Sequence, residues 1–467
     1  MPVYYLAVDI GASSGRHIIG SIENGKIILE EIYRFENGMI KKDGRLCWDY
    51  ETLFGHIKNG MKRCKEVGKI PTSMGIDTWG VDFVLMDEND KVLGEMRGYR
   101  DNRTDGMDDE VYRMIPEKEL YARTGIEKMM FNTIFQLMAV KKNQPEHMEE
   151  ARTMLFVPDY FHFLLTGKKV NEYTESSTSQ LIHANNRTWD EDLIERLGFN
   201  REIFQPIAMP GECLGSLKAE LVKEIGYDLE VVLPCTHDTG SAILAVPATD
   251  DDYVFISSGT WSLLGIERDA PDCSEVSRVN HFTNEGGYDS RICYHRNIMG
   301  LWMIQSVRHN LDDKYSFAEI CKQAEECSGF PSRVDVTDNR FMAPENMIEE
   351  IQNYCRGTGQ PVPGTLGEIA ACVYRSLAEC YAKTIEGIEK STGRTYSRIH
   401  IVGGGGNADY LNELTARVTG KEVHAGPTEG TAIGNIAAQM IYSGEFKGKE
   451  EVRGIIHESF DVKIFRV

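Results

Sequence analysis

Asp9-Ile10-Gly11-Ala12-Ser13-Ser14-Gly15-Arg16 stands between two strand-like runs, Tyr4 to Asp9 and Arg16 to Ile22. Its small residues permit a tight polar turn, so the stretch reads as strand, turn, strand. Working outward, Glu23-Asn24-Gly25-Lys26 gives a hairpin turn and Ile27 to Phe35 a third strand. A helix at about 52–67 and strands at Thr72 to Thr78 and Val81 to Met86 follow. The same opening returns later: Tyr253 to Ser257 as strand, Ser258-Gly259-Thr260 as turn, Trp261 to Glu267 as strand. Two halves that share an opening predict two related α/β domains, 1–248 and 249–467. The link is the polar, strand-free stretch Pro247-Ala248-Thr249-Asp250-Asp251-Asp252. The segment from about 100 to 215 is mostly helical by pattern and fits an insertion in the first domain.

In the second half, Leu366, Ile369, Ala370, Val373, Leu377, Tyr381, Ile385 and Ile388 recur at spacings of three and four, the signature of a long helix with one apolar face. Thr392-Gly393 stops it. Ile399 to Val402 is a strand leading into Gly403 to Gly406, and helices close the chain at Tyr410 to Val418 and about Thr431 to Tyr442. Asn297 to Gln305 reads as an apolar helix with Trp302 in the core.

Composition narrows the function classes. Of 467 residues, 41% are apolar, enough for ordinary buried cores; 72 acidic against 51 basic residues leave a net charge of −21. Such a chain repels nucleic acid and anionic membranes, so neither is an expected partner, and no obligate protein partner is implied. An anionic substrate would need backbone N–H groups, a metal ion or a few cations gathered locally. Met1-Pro2-Val3-Tyr4-Tyr5 lacks a basic n-region, and no run approaches the ~18–20 apolar residues of a membrane span. The 11 cysteines include no C-x-x-C pair. Reduced thiols and a cytoplasmic location are the expectation.

Three glycine-bearing turns follow strands, at 9–16, 257–262 and 403–406. Turns of this kind let N–H groups and hydroxyls approach phosphate oxygens closely. Asp9 at a strand end can place Mg²⁺, and Arg16 can add a fixed positive charge. No Walker sequence occurs. At Leu233-Pro234-Cys235-Thr236-His237-Asp238-Thr239 a strand ends with Asp238 at its mouth. That carboxylate either takes a proton from a substrate hydroxyl or merely caps the following helix. Cys235 reads as a small apolar residue ending a buried strand rather than as a nucleophile. Asp77-Thr78-Trp79-Gly80-Val81-Asp82-Phe83 suits a sugar, with the acids accepting hydroxyl hydrogen bonds, or is only a bend with a packed Trp.

The order of these motifs resembles the FGGY carbohydrate kinases, within the sugar kinase/Hsp70/actin superfamily. The shared features are the turn at 9–16, Pro158-Asp159-Tyr160 through Leu165-Thr166-Gly167, His237-Asp238-Thr239, the turn at 257–262, Gly403 to Gly406, and Thr431-Ala432-Ile433-Gly434-Asn435. The segments 12–16, 77–83, 257–262, Asn284-Glu285-Gly286-Gly287 and Asn297 to Trp302 are most similar to the branch acting on L-rhamnulose. The resemblance implies an α/β fold of two related actin/ribonuclease H-like domains with a cleft between them. It implies ATP and Mg²⁺ as cofactors and phosphorylation of the ketose at O1 in L-rhamnose breakdown; a kinase for another ketose such as L-fuculose or L-xylulose is the alternative. It further implies that Asp238 is the base, that Gly80, His237, Asp238, Thr239 and Asn297 bind the sugar, and that Ala12, Ser13, Ser14, Gly15, Arg16, Thr260, Gln305, Gly403, Gly404 and Gly405 bind ATP. Departures from the family pattern are Gly240 and Gly430, where Ala is common, and Ala408, where Asn is frequent. An actin- or Hsp70-like ATPase that only binds is disfavoured by the His-Asp-Thr mouth.

Overall fold

All six residues of the first strand, β1 (Tyr5–Ile10), are buried, as a strand covered on both faces requires. The computed structural model describes residues 2–342 and 344–467. β1 runs antiparallel to β2 (Ser14–Glu23), with Asp9 opposite Arg16. Asn24 and Gly25 both take positive φ and turn the chain into β3 (Lys26–Glu36). The helix α1 (Tyr50–Glu66) starts where the Asp49 carboxylate accepts from the Thr52 amide, and it buries Leu53, Ile57, Met61 and Cys64. β4 (Ser73–Thr78) lies parallel to β1 and sets Asp77 beside Asp9. β5 (Phe83–Met86) pairs with β6 (Thr153–Phe156). There follow α2 (Tyr173–Ser177), β7 (Cys213–Ser216), β8 (Glu230–Val232) and α3 (Asp238–Leu244). The first sheet has the order β7-β8-β4-β1-β2-β3. One core gathers Leu6, Val8, Trp48, Met74, Ile76 and Trp79 around this sheet. A second, built on Phe83, Phe135, Phe156, Trp189 and Phe204, belongs to the largely helical stretch 100–215.

The later strands repeat the opening. β9 (Tyr253–Ser258) runs antiparallel to β10 (Trp261–Arg268) across the turn at Gly259. Next come β11 (Thr283–Gly286), β12 (Ile292–Met299) and α4 (Trp302–His309). The long helix α5 (Leu366–Thr392) begins in a Thr365/Glu368 capping box and ends at Gly393 with φ 67°. β13 (Arg398–Val402) is parallel to β9, with Val402 beside Ser257. The chain closes with α6 (Asp409–Thr419), β14 (Glu422–Ala425), α7 (Gly430–Tyr442) and β15 (Lys463–Phe465). These strands follow the order β11-β12-β10-β9-β13-β14-β15.

The backbone gathers into two compact units. The first comprises Met1–Ala245, Glu267–Tyr294 and Thr431–Ser459; the second comprises Val246–Ile266, His295–Gly430 and Phe460–Val467.

The expected helix over Asn297 to Gln305 is corrected. Strand β12 continues through Met299, the helix starts only at Trp302, and Trp302 is half-buried rather than core. The break falls at Gly300, where a Cβ would lie 2.4 Å from the Ser262 Oγ, so the chain must pass tightly over the β9–β10 hairpin before it can coil.

Candidate functional site

At the end of β1 the polar turn is held from inside and outside. The Gly11 amide donates to the Ser14 carbonyl at 2.9 Å, and Asn37 binds the turn twice, its amide to the Ser13 oxygen and its side chain to the Gly11 oxygen at 2.7 Å. Gly15 has no alternative: a Cβ there would stand 2.1 Å from the Phe35 ring. Arg16 donates through Nε and Nη2 to Asp9 Oδ2 at 2.9 and 2.8 Å. A fixed cation thus flanks the strand-end carboxylate.

Two strands away the segment before α3 is tied to the same sheet edge. The Thr78 amide donates to the Thr236 carbonyl at 2.9 Å. The Thr236 hydroxyl donates to buried Glu172 at 2.7 Å, and the His237 amide to the Thr174 hydroxyl at 3.2 Å. Asp238 is the first residue of α3, and the helix start has no side-chain cap hydrogen bond. The cap reading therefore lacks its defining bond. About a third of the Asp238 side chain (34%) is accessible. Burial pushes its pKa up, His237 opposes this, and Asp9 adds to it. The His237 ring places Nε2 3.7 Å from Asp238 Oδ1 and Nδ1 3.2 Å from Glu285 Oε2. Burial disfavours its charged form, yet the Glu285 carboxylate beside it, with Asp238 and Glu172, raises its pKa overall. Gly80 closes on this group: a Cβ there would lie 3.3 Å from the Thr178 methyl and 3.5 Å from the His237 ring. Cys235 is fully buried with its thiol pKa pushed up, which makes it a poor nucleophile.

The two acids of the Trp79 segment do not present themselves to a sugar. Asp82 is fully buried; its Oδ2 accepts from the Trp48 and Trp79 indoles at 2.7 and 3.0 Å and from the Tyr99 amide at 3.0 Å, while Oδ1 accepts from Gln136 at 3.0 Å. It pins two indoles whose ring centroids lie 3.9 Å apart with their planes tilted by 32°. Asp77 is also fully buried, with Oδ2 accepting from Asn435 at 2.5 Å; burial and then Asp9 hold its pKa well up. Asn435 and Gln439, on α7, bond each other and the backbones of Gly75 and Leu6, so this helix is part of the site's foundation.

In the second unit, the glycine run packs on the β9–β10 turn. A Cβ on Gly405 would be 2.0 Å from the Ser258 Oγ, and one on Gly403, at φ 86°, 2.9 Å from the Ser258 carbonyl. Gly404 has open space on its Cβ side. Asn412 of α6 donates to the Gly405 and Gly406 carbonyls at 3.3 and 3.2 Å, and Ala408 precedes α6 without capping it. The Thr260 carbonyl accepts from the Trp302 amide at 3.1 Å, joining the turn to the helix that carries Gln305; Asn297 is on β12.

Thus Asp9, residues 12–16, Gly80, His237, Asp238 and Thr239 belong to the first unit, and Thr260, Asn297, Gln305 and Gly403 to Gly405 to the second. Sequence reasoning did not single out Glu172, Asn37 or the role of Glu285. The contacts that tie Glu172 to Thr236 and Asn37 to Gly11 span 64 and 26 residues, so no local motif announces them. Among the described residues no helix is long and apolar enough to cross a membrane.

Comparison with known proteins gives a consistent result. The family model described as "FGGY family of carbohydrate kinases, N-terminal domain" matches residues 4–245, and its C-terminal counterpart matches 254–443. A rhamnulokinase of Halalkalibacterium halodurans is 52% identical over 460 residues, covering 98% of both chains. Those of Oceanobacillus iheyensis and Bacillus subtilis are 49% and 41% identical, covering 98% and 99% of this chain and 97% and 95% of the relatives. Among solved structures, a xylulose kinase from Lactobacillus acidophilus superposes with a TM-score of 0.81 at 17% identity, covering 99% of this chain and 93% of that one. Plasmodium falciparum glycerol kinase with ADP gives 0.78 at 14% identity, covering 99% and 94%. These two likenesses bear on the fold, a two-domain mixed α/β arrangement.

Proposed function

The chain belongs to the FGGY family of carbohydrate kinases, and on that premise we propose that it transfers the γ-phosphate of ATP to O1 of L-rhamnulose, in L-rhamnose breakdown. It is a phosphotransferase with an alcohol acceptor. On this reading residues 1–248 supply the base, with Gly80, His237 and Thr239 of the sugar site, and 249–467 supply Thr260, Gln305 and Gly403 to Gly405 of the nucleotide site. The observation that carries the reading is Asp238, an accessible, uncapped-helix carboxylate flanked by His237 and by Asp9 on the same sheet edge.

Asp238 orients the O1 hydroxyl and takes its proton as the bond to phosphorus forms. Gly80 leaves room for the ketose where any side chain would crowd Thr178 and His237. His237, Thr239 and Asn297 offer hydrogen bonds to the remaining hydroxyls. The amides of Ala12 to Arg16, the Ser13 and Ser14 hydroxyls and the Arg16 charge serve the phosphates, with Thr260, Gln305 and Gly403 to Gly405 completing the nucleotide site.

Mg²⁺ fits this chemistry. Among the described residues no group of three or more His, Cys, Asp or Glu could cage a metal. Mg²⁺ typically takes one or two carboxylates together with phosphates and water. Asp9, bonded to Arg16 through Oδ2, is the carboxylate that would hold it. The bound ion would neutralise phosphate charge.

Assay of the purified chain with ATP and a ketose panel tests the proposal. L-rhamnulose should give the highest kcat/KM, with weaker activity on related ketoses, because an apolar spot for a methyl rejects a hydroxyl by only about 100-fold. Preference for L-fuculose or L-xylulose would overturn the substrate.

A further inference from the structure

We infer that Glu285 is a positioning residue for phosphoryl transfer: it holds the His237 ring by Nδ1 so that Nε2 faces the Asp238 carboxylate. The inference rests on Asp238 being the base. The three groups form a row of charge contacts rather than hydrogen bonds, Glu285 Oε2 to Nδ1 at 3.2 Å and Nε2 to Asp238 Oδ1 at 3.7 Å.

Both ends of the row are fixed by one helix. The Thr174 hydroxyl of α2 accepts from the His237 amide at 3.2 Å, and the Ser177 hydroxyl, one turn on, accepts from the Gly286 amide at 2.8 Å. Strand β11, which carries Glu285, is pressed onto α2 so closely that a Cβ at Gly286 would lie 2.6 Å from the Tyr173 ring. A Cβ at Gly287 would meet the Cys293 Sγ at 2.9 Å. The Asn284-Glu285-Gly286-Gly287 sequence thus reads as a carboxylate on a strand that only glycines allow near enough to the histidine. Glu285 is 6% and His237 9% exposed, so neither charge is well served by water.

The chemical consequence follows from burial. The Asp238 carboxylate, about two-thirds withdrawn from water, is pushed toward its protonated form, which cannot accept a proton. A charged imidazolium beside Asp238 favours the ionised base, and Glu285 favours the charged imidazolium. Other titratable groups facing the pair are Asp9 of β1, Asp77 of β4, Tyr99, Glu172, Glu175 of α2 and Cys293 of β12. Four of the six are carboxylates, Tyr99 is a phenol and Cys293 a thiol, and none supplies the positive charge that His237 does.

The test is the pH profile of kcat and kcat/KM for L-rhamnulose in wild type, Glu285→Gln and Glu285→Asp. Glu285→Gln should let His237 lose its proton at lower pH, so that the acid limb set by Asp238 rises by about one unit, a tenfold loss on that limb. Glu285→Asp should recover part of the shift. In a His237→Asn background, Glu285→Gln should add nothing. A Glu285→Gln profile that superimposes on wild type overturns the inference whatever the melting temperature does. If Glu285→Gln does not fold, NMR titration of His237 in the wild type replaces it; a pKa above the ordinary value of about 6.5 supports the pairing and one at or below it overturns it. Asp238→Asn separates the layers: an inactive Asp238→Asn with an unmoved Glu285→Gln refutes only the role of Glu285, whereas an active Asp238→Asn refutes the base beneath it.

Discussion

A Cβ on Gly434 would lie 1.8 Å from the carbonyl oxygen of Ser241. The helices α7 and α3 therefore meet backbone to backbone, and α3 begins with Asp238. Asn435, next along α7, reaches Asp77 beneath the site. The Thr431-Ala432-Ile433-Gly434-Asn435 motif thus acts through packing, by setting the height of the helix that begins with Asp238.

Gly434→Ala should force the two helices apart. We expect a loss of about 1–3 kcal/mol in stability from overpacking. Displacing a reacting group by about 1 Å costs on the order of 100-fold in rate, so kcat should fall further than stability explains. Thermal melts and kcat on the one variant check this; normal turnover would show that α3 tolerates the shift.

Asp82→Asn tests the indole pin. Asn cannot accept from Trp48, Trp79, Tyr99 and Gln136 together, and an unsatisfied buried donor costs about 1–3 kcal/mol. The pH dependence has a definite sign. Burial raises the Asp82 pKa from 3.8 to about 6. The folded state then binds the proton more tightly than the unfolded chain, so this group's contribution is greatest below pH 3.8 and declines as pH rises to about 6. The Asn variant lacks that decline. Urea melts should show a larger gap between wild type and variant at pH 4.5 than at pH 7.5, by about 2 kcal/mol. A gap that widens with pH would contradict the assignment.

Much of this arrangement was legible in the sequence, and the reason is local. The strand–turn–strand openings, the long helix ending at Gly393 and the glycine run after β13 are each written in contiguous residues. What was not legible depends on long-range pairing. Nothing near Asp77 or Asp82 announces that the first will be fully buried against Asn435 and the second against Trp48, so acids that look available to a sugar are enclosed in the fold. The strand at Asn297 looked helical because its apolar residues are unbroken; only the approach of Gly300 to Ser262 decides where coiling begins. The return of 431–459 to the first unit likewise has no signal in the α7 sequence itself.

Asp9→Asn should leave the fold intact, since Asn still accepts from Arg16, whose two donors both reach Oδ2. Turnover should fall strongly, and the Mg²⁺ concentration giving half-maximal rate should rise, because a neutral amide is a weaker ligand for a hard cation. Titrating Mg²⁺ at saturating ATP and ketose measures both. Full activity at ordinary Mg²⁺ would remove Asp9 from the metal site.

Asp238→Asn bears most directly on the chemistry. The substitution keeps the size and shape of the side chain but leaves a far weaker proton acceptor. The helix start it occupies has no side-chain cap bond to lose, so the melting temperature should hold. The measurement is kcat, with ketose affinity and melting temperature determined on the same preparation. The account predicts a fall in kcat of about 100- to 10,000-fold with binding and stability retained. Near-normal turnover in a folded, ketose-binding variant would contradict it.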